Sequence, residues 1–179
     1  MIELSRSFVV DDVIGRTLEG TAVTYHRTYR VSDDGGRTFY REGWQPGSFT
    51  QSITASRNTF EMRHRHGDQR LGIVSFEDDE TQLAFRATLD DTEEANQALV
   101  DYEAGLMRGV SLQFRPRKQD RGADGVLWRN RADIRELSLT NVGQYDDAKV
   151  SALRASSTLQ EINQLLLEGD RLLAYCRTV

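Results

Sequence analysis

The sequence predicts an α+β protein that is mainly β. Three features carry this expectation. Most of the first 150 residues form short runs rich in β-branched and aromatic side chains, broken by Gly and Asp turns. One internal stretch, 91–106, changes to helical spacing. A second helical pattern begins only after about Ala155. The expected division is therefore a β domain over 1–155 and a C-terminal amphipathic helical segment over 156–179.

In chain order, Leu18 to Val31 lacks helical periodicity and reads as extended. Ser32-Asp33-Asp34-Gly35-Gly36 is a turn, and Thr38-Phe39-Tyr40 resumes the strand, which predicts a hairpin. Pro46-Gly47-Ser48-Phe49 opens a short helix through Ala55 with Ser48 as its cap. Three extended runs follow: Thr59 to Arg65, Leu71 to Glu77, and Gln82 to Leu89. The acidic run from Glu77 to Glu80 separates the last two as a solvated loop. Thr92 caps the next helix, with Glu93 and Glu94 in its first turn. Ala95, Ala98, Leu99, Tyr102 and Leu106 form its apolar side, and Gly105 lies near its end. Two strands, Gly109 to Arg115 and Asp133 to Thr140, flank a polar loop over Gln119 to Gly125, with Val126-Leu127-Trp128 adding a short strand.

Composition excludes several classes. The 179 residues are 38% hydrophobic, enough for one core. The mean hydropathy is −0.58, and no apolar run approaches the roughly 20 residues of a membrane span. Met1 to Arg6 shows no secretory pattern. The net charge of −5 and pI near 5.3 argue against a protein devoted to holding nucleic acid. A lone cysteine, Cys176, leaves no internal disulfide and fits a reducing compartment.

Three segments could carry chemistry. In Phe60-Glu61-Met62-Arg63-His64-Arg65-His66, strand alternation predicts Phe60, Met62, His64 and His66 on one face. Paired imidazoles could ligate a metal, with His26 or Asp68 as a third ligand. In Gly109-Val110-Ser111-Leu112-Gln113-Phe114, the apolar residues alternate inward and Ser111 points the other way. In Ile134-Arg135-Glu136-Leu137-Ser138-Leu139, Glu136 and Ser138 lie opposite Leu137 and Leu139.

In order and surroundings these segments resemble the prohead proteases of tailed bacteriophages, the HK97-type serine proteases of capsid maturation. The resemblance runs from about Leu18 to Arg154. It rests on Glu42 with Pro46-Gly47-Ser48-Phe49, a strand ending in His before Leu71-Gly72, Gly109-Val110-Ser111 with Phe114, Glu136-Leu137-Ser138-Leu139, and Lys149-Val150 with Arg154. Gly143-Gln144-Tyr145 departs from the Pro-Ala-Tyr of many relatives.

The resemblance implies a closed or nearly closed antiparallel β-barrel with surrounding helices, akin to the herpesvirus assemblins. It makes Ser111 the nucleophile, His66 the base, with His64 the alternative, and Glu136 the third member of the triad. No cofactor or metal is implied. The substrates would be the major capsid protein and its scaffold (the delta domain), and the protein itself, cut inside assembling proheads in the host cytoplasm. No direct nucleic acid or membrane partner is implied, and a homo-oligomer is compatible with the resemblance, since related viral proteases pair through surface helices. The competing class is a non-catalytic capsid-assembly or scaffold protein on the same fold.

Overall fold

The computed structural model describes residues 4–14, 16–34 and 36–141. Their elements, in order, are β1 (Leu4–Ile14), β2 (Thr17–Thr24), β3 (Thr28–Val31), β4 (Tyr40–Trp44), α1 (Thr50–Ala55), β5 (Phe60–His64), β6 (Arg70–Asp78), β7 (Gln82–Leu89), α2 (Glu93–Glu103), β8 (Gly109–Arg121) and β9 (Leu127–Thr140). The mainly β expectation holds: the strands make one strongly curled, half-barrel sheet with few helices.

Alternation decides what the curl encloses. Phe60 and Met62, Leu83 and Phe85, Val110, Leu112 and Phe114, and Leu137 and Leu139 are all buried on its inner side. Burial of each such side chain contributes about 1.5–3 kcal/mol. Trp44 stacks at 4.6 Å on Phe49 and meets Phe114 edge-on at 4.8 Å, which seats the start of α1 on the core.

The expected antiparallel pairing is corrected at two places, because β4 and β5 both run parallel to β9. β8 occupies one edge of β9 along its length. Both parallel partners therefore share the other edge, β4 against 127–129 and β5 against 136–139. Between them the chain detours through α1 without leaving the β9 edge bare. Ala132 N–H donates to the Ser48 carbonyl and Ile134 N–H to the Ser52 hydroxyl, each at 2.9 Å. Ser48 is thus not the helix cap. Phe49 holds that position, and the single Ser48 O–H is shared between the carbonyls of Gln45 (2.5 Å) and Arg129 (2.8 Å).

Other boundaries also differ. His26, at φ 57°, turns the chain and splits the expected 18–31 run into β2 and β3. The sequence reading assigns no strand to 4–14, yet β1 pairs with both β2 and β8. The polar loop expected over Gln119 to Gly125 is shorter than expected: β8 continues to Arg121, and the chain then turns through Gly125, at φ 80°, into β9. Cross-strand polar pairs such as Arg117–Asp133 and Asn130–Asp120 line these outer ends. Helix α2 matches its expectation, with the Thr92 hydroxyl accepting the Ala95 N–H at 3.3 Å. Leu106, expected on its apolar side, lies past the helix end and is exposed. The expected helical segment 156–179 and the motif residues Lys149, Val150 and Arg154 lie outside the described residues.

Candidate active site

The long β8–β9 ladder builds the site. Its register sets Ser111 opposite Ser138 and Gln113 opposite Glu136. On the other edge of β9, Arg63 of β5 also faces Ser138, and Glu61 faces Glu136. With the apolar neighbours turned inward, these side chains share the outer side of the sheet. Ser111, Glu136 and Ser138 are nevertheless buried.

His66 reaches them by breaking the strand. Alternation alone predicts His66 on the inner side beside Met62, and the structure corrects that expectation. β5 stops at His64, and Arg65 (φ 49°) and His66 (φ 58°) are both left-handed. The Gly67 N–H closes back on the His64 carbonyl at 2.7 Å, giving a type I′ turn built without Asn or Gly at its centre. Left-handed backbone at such residues costs about 1–2 kcal/mol each. The turn is tied to β9 by Arg65 N–H to the Leu139 carbonyl and His66 N–H to the Ser138 hydroxyl, each at 3.0 Å. These bonds carry the imidazole over the outer side.

There the three predicted residues meet. His66 Nε2 lies 2.7 Å from Ser111 Oγ, and His66 Nδ1 lies 2.6 Å from Glu136 Oε1. A carboxylate only accepts, so the neutral ring carries its proton on Nδ1 and leaves Nε2 to take the serine proton. The His66 side chain is 28% exposed and Glu136 is 6% exposed, so the ring faces solvent while its partner is enclosed.

Glu136 has further donors. Ser138 Oγ donates to Oε1 at 3.0 Å, and Arg63 Nε lies 3.1 Å from Oε2. Arg63 also bonds Glu61 at 2.6 Å. The Glu61 hydrogen bond raises the Arg63 pKa, partial burial opposes it, and the charges of Glu61, Glu136 and Asp68 add to the rise. A 280 Å³ cleft lined by Arg63, Gln113, Arg135 and Glu136 adjoins this group. The register shift beside Gln113 makes Arg135 and Glu136 successive outward residues, as a bulge does.

The other candidates lie elsewhere. His64 Nδ1 meets Gln69 Oε1 at 3.3 Å beside the start of α2. His26 bonds the Trp44 carbonyl through its backbone. Trp44 pairs with Arg129, nine residues along β9 from Ser138, or about 30 Å. Among the described residues, no three His, Cys, Asp or Glu side chains converge as a metal site. Sequence reasoning missed the parts of Ser138 and Arg63. The signal for Ser138 was its position two residues from Glu136 on the same face.

The chain belongs to the caudovirus prohead serine protease family, whose family model matches residues 8–164. No curated protein and no solved structure matches it. Among the described residues, no helix is long and apolar enough to cross a membrane.

Proposed function

We propose that this protein is a serine endopeptidase of phage head maturation, with Ser111 as nucleophile, His66 as general base and Glu136 orienting the imidazole. One observation carries the reading: the continuous contact from Ser111 Oγ through the His66 ring to Glu136, at 2.7 and 2.6 Å. His66 Nε2 takes the Ser111 proton as Oγ attacks a peptide carbonyl. The resulting imidazolium is stabilised by Glu136 and passes its proton to the leaving amine. Water then enters and attacks the acyl carbonyl as His66 takes its proton. The bond to Ser111 Oγ breaks, His66 returns the proton to Oγ, and the carboxylic acid is released.

The substrates in this reading are the major capsid protein and its scaffold, cut within assembling proheads in the host cytoplasm. The family supports the prohead setting. In this reading residues 1–155 are the catalytic domain, and the C-terminal segment 156–179 is a candidate substrate for self-cleavage. The curled sheet is read as a barrel of the assemblin kind. What supports closure is that β8 pairs with β1 on one edge and β9 on the other.

Reaction with a fluorophosphonate followed by peptide mapping tests the assignment. Modification of Ser111 that is lost in His66→Ala is expected. Wild-type protein that stays unmodified overturns the catalytic reading and favours a non-catalytic assembly role.

A further inference from the structure

The hydrogen bonds around His66 form a closed circuit with a member outside the triad. Ser138 is fully buried. Its hydroxyl accepts the His66 main-chain N–H and donates to Glu136 Oε1, both at 3.0 Å. The same Glu136 oxygen takes the His66 ring at 2.6 Å. One oxygen atom thus holds the histidine at both ends, by its backbone directly and by its ring through Glu136.

The turn needs such a hold. Arg65 and His66 are both left-handed and lack the residues that favour a type I′ turn. Strained conformations of this kind persist where the surroundings over-determine them. The Leu139 carbonyl fixes Arg65, and the Ser138 hydroxyl fixes His66. Register explains why that hydroxyl is available. Ser138 pairs with Arg63 on one edge and Ser111 on the other, so it lies between the end of β5 and the proposed nucleophile.

We infer that Ser138 is a positioning residue for the hydrolysis ascribed to Ser111 and His66, and this role rests on that reading. Its hydroxyl couples the turn to the Glu136 carboxylate, so that Nε2 stays aimed at Ser111 Oγ. Alanine removes both bonds. Cysteine fills the space but bonds weakly. Threonine keeps the hydroxyl.

The test measures the rate at which a fluorophosphonate modifies Ser111, together with the proton resonance of the His66 Nδ1–H. The comparison covers wild type, Ser138→Ala, Ser138→Cys and Ser138→Thr. Ala and Cys should slow modification roughly ten- to a hundredfold, the scale on which small misplacements cost rate. They should also shift or broaden the resonance, and Thr should restore both. A role in packing alone predicts wild-type behaviour from Cys, and that result overturns the proposal. Should Ala fail to fold, the Cys and Thr variants decide between them. Unchanged modification at Ser111 in Ala or Cys overturns the role of Ser138 alone. Wild-type modification only at some other serine overturns the reading of Ser111 and the role of Ser138 with it.

Discussion

Arg129 bonds Glu42 Oε2 through Nε at 3.1 Å and Nη2 at 3.0 Å, and both residues are buried. Tyr40 and Gln119 take the remaining guanidinium directions. The pair joins β4 to the end of β9 opposite the Ser138 row, and so anchors the ladder that carries Ser111 and Glu136.

Breaking that pair from one side should cost stability before it costs chemistry. Removing one partner of a buried ion pair leaves an uncompensated charge, typically about 3–5 kcal/mol. Glu42→Gln and Arg129→Met should each lower the urea midpoint accordingly, and the double variant should lose less than the sum. A single variant with an unchanged midpoint contradicts the anchoring role.

Gly72 has a different constraint. A Cβ there would overlap the Thr88 carbonyl oxygen and stand 2.7 Å from Leu89 Cα, so β6 and β7 approach too closely for any side chain. Gly72→Ala should destabilise by about 3 kcal/mol or more, since the obstruction is backbone and cannot rotate away. Thermal unfolding checks this, and a melting temperature within experimental error of wild type would refute it.

Acid should loosen one turn ahead of the core. Asp34 accepts from the Thr38 hydroxyl and N–H, the Ser32 hydroxyl and the Arg37 N–H. These bonds, the Thr38 hydroxyl foremost, hold its pKa at about 2, below the ordinary 3.8. A depressed carboxylate stabilises the fold above its unfolded value, and that stabilisation is lost as pH falls through the folded one. Amide exchange at Arg37 and Thr38 should therefore quicken between about pH 4 and 2. In Asp34→Asn this acid-dependent step should disappear.

The two neighbouring histidines should separate sharply. His66→Ala should lower cleavage by several orders of magnitude, and His64→Ala by little. His64 faces Gln69 and the start of α2, whereas His66 faces Ser111. Chelators should leave activity intact, because the two rings point to different partners and share no site. Cleavage assays on both variants, with and without chelator, check this. Loss of activity in His64→Ala alone would move the base two residues back.

Much of the site was legible where one periodicity ruled. Val110, Leu112 and Phe114 had to turn inward, which sent Ser111 outward, and Leu137 and Leu139 did the same for Glu136. The same rule misplaced His66. Nothing in Arg65-His66 marks a type I′ turn, because the bonds that hold it come from Ser138 and Leu139, some seventy residues away. Long-range pairing also explains the other misses. The parallel seating of β4 and β5 on one edge of β9 depends on partners far off in sequence, which local patterns do not encode. The end of β8 over 119–121 reads as loop because cross-strand pairs such as Asn130–Asp120, rather than burial, define it.

The decisive measurement is co-expression with a prohead capsid protein and its scaffold, comparing wild type with Ser111→Ala by mass spectrometry of the capsid protein. Wild type should give a shortened capsid protein and the variant the full-length form, while the variant keeps the wild-type melting temperature. Equal shortening by a folded Ser111→Ala protein would contradict it.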